Sequence, residues 1–267
     1  MTARAPVLYL PHGGGPMPLT DDPTHAELRA FLQQVPERFP TPRAVLLISA
    51  HWEAPRASVY DDPAPELLFD YYGFPPPTYH YRYPAPGEPA LADRVQALLT
   101  DAGIEAATVQ GRGFDHGMFV PMMLLWPQAN VPCVQLSLIR GLDPQAHLAL
   151  GRALGALRDD GVAIVGSGMS FHNLKAIFAG AVPQQVEASD AFDGWLVETV
   201  TMALSPEEQR ARLADWDTAA PHARFCHPRE EHLLPLHVCA GAAGFANAEL
   251  IFNRPLMGHR VSGFGWF

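Results

Sequence analysis

The chain has 267 residues, of which 48% are hydrophobic, enough to bury a sizeable core within one domain. Its formal net charge of −10 and the lack of a Lys/Arg run argue against nucleic-acid binding. No apolar run approaches the roughly 20 residues of a membrane span, and the three cysteines form no C-x-x-C pair. We therefore expect a cytoplasmic protein with reduced thiols, without nucleic-acid or membrane partners.

Apolar runs alternate with helical patterns along the chain. In chain order, the pattern predicts a strand at Val7–Leu10, a helix at Thr24–Val35 capped by Thr24, a strand at Ala44–Ala50, a helix at Glu88–Ala102, a strand at Val131–Leu138, a helix at Pro144–Asp159, a strand at Val162–Val165, helices at Ala188–Leu204, Pro206–Trp216 and Pro228–Ala243, and a last strand around Val261. This alternation predicts an α/β fold with a mostly parallel central sheet flanked by helices, in a single domain over residues 1–267.

A proline-rich segment between Asp62 and Pro89 separates the second strand from the next helix. A disordered linker would be poor in aromatic residues, but this segment carries seven of them. We therefore predict a long ordered loop, which in a compact domain is often functional.

Five histidines stand in segments expected at the rim of the fold: His12, His51, His116, His172 and His232. Three of them follow predicted strands, whose carboxyl ends form the ligand-binding edge of an open α/β sheet. A lone histidine is more often a surface residue or a hydrogen-bonded core residue. Several at one edge instead indicate a metal centre with acid/base partners, because imidazole is the commonest metal ligand and a proton carrier near neutral pH.

The glycines after His12 do not form a known phosphate or hydrolase motif. Residues 12–16 lack both the Gly-x-Gly-x-x-Gly and the Walker pattern. They resemble the oxyanion loop of lipases, but the Gly-x-Ser-x-Gly elbow is missing, since Gly166-Ser167-Gly168 is too short. Serine hydrolase chemistry is therefore disfavoured.

Seven short motifs occur in order along the chain: Leu-Pro-His-Gly-Gly-Gly-Pro, Ile-Ser-Ala-His-Trp, Tyr-Pro-Ala-Pro-Gly, Gly-Phe-Asp-His-Gly, Val-Gln-Leu-Ser-Leu, Phe-His-Asn-Leu and Glu-His-Leu-Leu-Pro-Leu. Together they resemble the class III extradiol ring-cleavage dioxygenases of LigB type, most closely the single-chain branch of DOPA dioxygenase type. The resemblance runs from about Val7 to the end of the chain.

The resemblance implies an α/β fold and one divalent metal bound by His12, His51 and His232. It implies that His172 is the active-site base and that His116 helps to hold substrate or oxygen. The substrates would be a catechol, such as 4,5-DOPA, and O2, and the product would be ring-opened beside the diol.

One departure from the wider family concerns the third metal ligand. Many LigB-type enzymes use two histidines and a glutamate, the facial arrangement typical of non-haem Fe(II). Here, as in the single-chain branch, a histidine stands at that position, in Glu230-Glu231-His232. Three imidazoles also suit zinc, so Fe(II) for dioxygenase activity and bound Zn(II) both remain open. Glu231 is the alternative ligand, although we favour a solvated carboxylate in the first turn of a helix.

The aromatic loop offers Tyr71, Phe74 and Tyr79 as candidates for the substrate pocket, and packing of the loop against the body is an equal alternative. Two other functions remain open. Three histidines and a water also suit a zinc hydrolase, and a binding protein can keep a fold without its chemistry. The presence of all five histidines argues against the binding protein.

Overall fold

One eight-stranded sheet forms the centre of the computed structural model, which describes residues 4–267. The strands are β1 (Val7–Pro11), β2 (Ala44–Ala54), β3 (Ala57–Tyr60), β4 (Ala106–Val109), β5 (Cys133–Ile139), β6 (Val162–Gly168), β7 (Glu249–Leu256) and β8 (His259–Trp266). They lie in the order β4-β3-β5-β2-β6-β1-β8-β7. The central strands are apolar and almost entirely buried, as expected for strands covered on both faces.

The sheet is mixed, which corrects the prediction of a mostly parallel sheet. The four central strands, β5, β2, β6 and β1, are parallel to one another, as predicted. On one side, β3 pairs antiparallel with β5, and on the other β8 pairs antiparallel with β1 and with β7. The short hairpin between β7 and β8 turns the chain back at residues 257–258, which is the connection that antiparallel strands permit.

Ten α-helices pack around the sheet within the described residues. They are α1 (Ala26–Gln34), α2 (Pro89–Asp101), α3 (His116–Leu125), α4 (Pro144–Leu154), α5 (Leu174–Ala179), α6 (Pro183–Thr201), α7 (Pro206–Ala214), α8 (Trp216–Ala219), α9 (Ala223–Cys226) and α10 (Leu234–Ala242). None of these helices is long and apolar enough to cross a membrane.

Three of the predicted helix starts are wrong, and one of them is that of α6, which begins at Pro183 instead of Ala188. Helix α1 begins at Ala26 instead of after a Thr24 cap, and it is preceded by a 3-10 turn whose cap is Asp22, which accepts a hydrogen bond from the His25 backbone N–H at 3.0 Å. The helix expected from Pro228 begins at Leu234, where Pro235 occupies the first turn, the position that proline favours. His232 therefore precedes the helix instead of lying in its first turn.

The order of the central strands fixes where the site forms. Strands β2, β6 and β1 are neighbours and run in the same direction, so their carboxyl ends meet at one edge of the sheet. His12 follows β1, His172 lies shortly after β6, and His51 lies inside β2, which extends beyond its predicted end at Ala50. The pairing of β2 with β5 is irregular between Ile48 and Glu53, around His51.

Candidate metal centre

All five predicted histidines come together at this edge. Besides the three from the central strands, His116 is the first residue of α3, and His232 lies just before α10. The His232 carbonyl accepts hydrogen bonds from the Tyr9 hydroxyl at 2.9 Å and from the Met169 backbone N–H at 3.0 Å. These bonds tie the His232 segment to the ends of β1 and β6.

Two glycines allow the backbone to approach the site closely. A Cβ atom on Gly168 would lie 2.2 Å from the His232 carbonyl oxygen, so any other residue would push that segment away. Gly13 has φ +77° and is packed against Pro18 and His25, so both its conformation and its space exclude a side chain. The glycines therefore place His12 and His232 side by side.

Three of the rings form a nearly equilateral triangle. The ring centres of His12 and His51 are 4.9 Å apart, those of His12 and His232 5.2 Å, and those of His51 and His232 4.9 Å. Imidazoles that bind one ion at about 2.0–2.1 Å have ring centres roughly 4.5–5 Å apart, the smaller value for facial octahedral and the larger for tetrahedral ligands. The His12 and His51 Nε2 atoms are 3.1 Å apart, against roughly 3.3 Å for two nitrogens on such an ion. This triangle fits a metal ion.

The other two histidines flank the triangle. The His116 ring centre is 3.9 Å from that of His51 and 5.6 Å from that of His12. The His172 ring stacks on that of His232, with 3.4 Å between centres and 17° between planes. If only the spacing of possible ligand atoms is considered, the potential metal ligands form two other groups. One contains His12, His51 and His116, and the other contains His172, Glu231 and His232.

The tautomer of His12 follows from its hydrogen bonds. The Ser167 hydroxyl donates to the Gly117 carbonyl, which can only accept. The Ser167 oxygen is therefore free to accept from His12 Nδ1 at 3.0 Å. With its proton on Nδ1, His12 presents an unprotonated Nε2 to the centre, as a metal ligand must.

Glu231 fixes two further rings at once. Its Oε1 atom accepts from His232 Nδ1 at 2.9 Å and lies 3.1 Å from His172 Nδ1. A carboxylate can only accept, so both rings carry their protons on Nδ1 and turn Nε2 towards the centre. Partial burial raises the pKa of Glu231, but the hydrogen bond from His172, the backbone hydrogen bond at Glu231 and the charge of Arg229 together leave the pKa lowered. Glu231 is therefore not the solvated carboxylate that we favoured from the sequence.

Asp70 plays the corresponding part for His116. Its Oδ1 atom accepts from His116 Nδ1 at 2.7 Å and from the His116 backbone N–H at 3.0 Å. Its Oδ2 atom lies 3.9 Å from His51 Nδ1. Partial burial raises the Asp70 pKa, but the hydrogen bonds from His116 and the electrostatic influence of His116 and His51 together leave the pKa lowered. The proline-rich loop thus contributes a carboxylate to the centre.

Burial keeps the three triangle histidines neutral. It lowers the pKa of His12 and of His232 well below the usual value, and the neighbouring imidazoles lower both further. For His51, burial and the nearby His116 lower the pKa to about 3. Neutral imidazoles, of which His12 and His232 turn an unprotonated Nε2 to the centre, are ready to bind a cation.

A cavity of about 260 Å³ opens on the centre. It is lined by all five site histidines, by Gly13, Gly14 and Gly15, and by Met17, Phe74, Met169, Leu174, Ile177, Phe178 and Met257. Of the three aromatic pocket candidates, Phe74 lines this cavity. Tyr71 and Tyr79 lie behind it in a cluster with Phe69 and Phe119 that packs the loop against α3.

Three polar residues of the site were not predicted in the roles that the structure gives them. Ser167 stands at the end of a central strand, which is a signal for a hydrogen-bond partner as much as for a nucleophile. Glu231 adjoins His232 in the sequence, and that proximity is a signal for a carboxylate that orients the ring. Asp70 has no local signal, because only the fold of the loop brings it to His116.

Comparisons with known proteins give matches over almost the whole chain. The family described as "Catalytic LigB subunit of aromatic ring-opening dioxygenase" matches residues 2–263. The chain is 40% identical to "Dioxygenase tasH" of Hapsidospora irregularis, over 90% of this chain and 78% of that protein. It is 38% identical to "4,5-DOPA dioxygenase extradiol" of Beta vulgaris, over 92% and 90% of the two chains. The protein of the same name in Escherichia coli (strain K12) is 32% identical over 90% and 86%.

The fold also matches a solved structure. The crystal structure of an uncharacterized protein from Escherichia coli K12 aligns with a TM-score of 0.75 and 30% sequence identity, covering 98% of this chain and 99% of that one.

Proposed function

Since this chain belongs to the family of catalytic LigB subunits of aromatic ring-opening dioxygenases, we propose that it cleaves catechols at a metal bound by His12, His51 and His232. The family and the related 4,5-DOPA extradiol dioxygenases make it an extradiol ring-cleaving enzyme. They do not favour the zinc hydrolase or the binding protein. The observation that carries the ligand assignment is the triangle of neutral imidazoles about 5 Å apart.

His232 is a better third ligand than His116. The His116 ring centre lies only 3.9 Å from that of His51, too close for two ligands that approach one ion from different directions. The His232 ring keeps about the same separation from both partners, and its Nδ1 proton is held by Glu231. A ligand histidine whose other nitrogen donates to a carboxylate is the usual arrangement in metal sites.

We assign the resident ion as Fe(II). A divalent metal, when bound, supplies a Lewis acid for the catechol oxygens and a single centre at which catechol and O2 are held together. Zinc has no redox chemistry, whereas reaction of O2 with the ring requires electron transfer. The carbon–carbon bond beside the diol breaks, and both atoms of O2 enter the ring-opened semialdehyde product.

The flanking histidines are assigned to proton transfer and binding. The Nδ1–H group of His172 faces Glu231, which leaves its Nε2 atom unprotonated. Nε2 is therefore the atom that accepts a proton from the catechol hydroxyl. His116, oriented by Asp70, stabilises charge that develops on oxygen. Phe74 lies on the cavity wall where the ring would stack, and the loop that carries it excludes water.

The activity is tested by loading the metal-free protein with Fe(II) without oxygen and then measuring oxygen uptake with DOPA and a panel of catechols. We expect a yellow ring-opened product and one O2 consumed per catechol. The Zn(II)-loaded protein is the control and should be inactive. Lack of ring opening across the panel, or equal activity with zinc, would contradict the proposed reaction.

The ligand assignment is tested with alanine variants and metal analysis. We expect His12→Ala, His51→Ala and His232→Ala to lose bound metal. His116→Ala and His172→Ala should keep the metal and lose turnover. If His116→Ala loses metal and His232→Ala keeps it, the alternative set of His12, His51 and His116 is correct.

A further inference from the structure

The cavity wall beyond the five histidines and the three glycines is entirely apolar. The side chains that line it there are Met17, Phe74, Met169, Leu174, Ile177, Phe178 and Met257. No lysine, arginine or carboxylate is among the described residues that line this cavity. The polar groups available to a ligand are therefore concentrated at the histidines, where the diol binds in the proposed function.

The apolar surface continues out of the cavity mouth. Leu174 and Phe178, on the short helix α5, are 53% and 84% exposed, yet both also line the cavity. Large apolar side chains with that exposure gain stability by covering an apolar partner. A ring substituent that leaves the cavity towards α5 therefore meets apolar side chains along the way.

Two cations line a neighbouring cleft. Lys175 and Arg229 line a cleft that shares His172 and Leu174 with the cavity. Arg229 is paired with Glu53 at 2.5 Å and lies 3.5 Å from Glu231. Lys175, the only lysine of the chain, lies on α5 next to Leu174. Neither side chain lines the cavity that holds the ring.

We infer that the preferred substrate is a catechol with an apolar alkyl or aryl substituent, rather than one with a carboxylate or an amino acid side chain. An ionised group moved from water to an apolar wall without a partner is strongly disfavoured. An alkyl chain instead gains the free energy of apolar burial against the methionines, Ile177 and Phe178. This inference rests on the proposed function, because the histidines are taken to hold the diol.

The test uses a matched pair of substrates on the unmodified Fe(II) protein. Propylcatechol and dihydroxyphenylpropionate have side chains of similar length, and only the second carries a carboxylate. We expect kcat/KM to be at least about tenfold higher for propylcatechol, with DOPA below both. Equal or higher kcat/KM for dihydroxyphenylpropionate or DOPA would overturn the inference.

Binding without oxygen separates this inference from the proposed reaction. Calorimetry under anaerobic conditions should give a Kd at least about tenfold lower for propylcatechol than for dihydroxyphenylpropionate. Such a preference without ring opening after oxygen is admitted would support the apolar pocket and refute the dioxygenase activity. Ring opening without this difference in Kd would refute the inferred preference for apolar substituents and leave the dioxygenase activity standing.

Two variants identify the residues that set the preference. Met257→Lys places a cation on the cavity wall and should shift the kcat/KM ratio towards dihydroxyphenylpropionate by about tenfold. Ile177→Lys is the second variant, should the first fail to fold. Lys175→Met is the control and should leave the ratio unchanged. If Lys175→Met lowers kcat/KM for dihydroxyphenylpropionate alone, the neighbouring cleft binds the carboxylate and the inference is wrong.

Discussion

At the scale of single residues, the centre depends on carboxylates and a hydroxyl that hold the histidines by their Nδ1 atoms. Glu231 orients two rings with a single oxygen atom, because its Oε1 lies within hydrogen-bond distance of Nδ1 in both His172 and His232. In the proposed function these rings are the base and a metal ligand. Glu231 thus ties the orientation of the base to that of the ligand, although it touches neither substrate nor metal.

Replacing Glu231 with alanine should weaken metal binding and catalysis together. Without the acceptor, both imidazoles are free to rotate and to change tautomer, so we expect losses of about 10–100-fold in metal affinity and in kcat. Metal affinity is measured by competition with a chelator, and kcat by oxygen uptake. Glu230→Ala is the control, because Glu230 pairs with Arg224 at the surface. Unchanged metal affinity in Glu231→Ala would exclude the positioning role.

Asp70 should affect turnover without affecting the metal. Asp70→Ala removes the acceptor for both His116 Nδ1 and the His116 backbone N–H. We expect kcat to fall by about 100-fold because His116 loses its orientation, while metal content stays full. Glu66→Ala, a change of an exposed carboxylate on the same loop, should leave kcat unchanged. Loss of metal in Asp70→Ala would instead assign His116 to the metal.

At the scale of elements, the sequence predicted the central strands well, because a short continuous apolar run bounded by turn residues is typical of a strand buried on both faces. Strands β1, β5 and β6 begin within two residues of their predicted starts. The edge strands β4 and β7 and the strand next to β4, β3, were missed, since they are short or partly exposed and lack such a run. All five histidines were found from sequence, but Asp70 was not, because its contact joins residues 46 positions apart.

Helix α3 was also missed, and its start is held by an unusual cap. The buried Asp115 side chain accepts from the Met118 backbone N–H at 3.1 Å, from Ser49 at 2.7 Å and from Arg112 at 2.9 Å, and Gln135 also donates to it. The cap therefore joins α3 to β2 and β5. It also fixes His116, the next residue.

We predict that Asp115→Ala destabilises the protein by about 3 kcal/mol, since it leaves the buried hydroxyl and amide donors of β2 and β5 without this acceptor and removes the ion-pair partner of Arg112. Asp143→Ala is the matched control. Asp143 caps α4 through the Gln145 backbone N–H at 2.9 Å but is exposed, so its loss should cost about 1 kcal/mol. Urea unfolding of the metal-free proteins measures both changes. Equal losses would show that the Asp115 network adds nothing to an ordinary cap.

At the scale of the whole molecule, buried neutral histidines are not confined to the metal centre. Burial lowers the pKa of His227 to about 3 and that of His237 to about 4. The His227 Nε2 atom lies 2.8 Å from the carbonyl oxygen of Ser170, and the His237 Nε2 atom lies 2.8 Å from the carbonyl oxygen of Leu213. Each ring serves as a neutral donor inside the core, and burial disfavours its protonated form.

This arrangement predicts a fold that is sensitive to mild acid even without its metal. For His237 the folded pKa of about 4 lies below the unfolded value near 6.5. The unfolded chain therefore binds more protons below pH 6.5, and stability falls as the pH falls towards 4. Between pH 7 and pH 5, each such histidine should cost about 2 kcal/mol of unfolding free energy.

His237→Gln isolates one of these contributions, because glutamine keeps a donor for the Leu213 carbonyl but does not titrate. We expect the variant to be less stable at pH 7, yet to lose about 2 kcal/mol less than the parent between pH 7 and pH 5. Urea unfolding of the metal-free proteins at both pH values measures the difference, and metal release then plays no part. The exposed His80→Gln should reproduce the parent's loss, since that imidazole is solvated whether or not the chain is folded. A parent and a His237→Gln variant with the same pH dependence would mean that His237 is not held neutral by the fold.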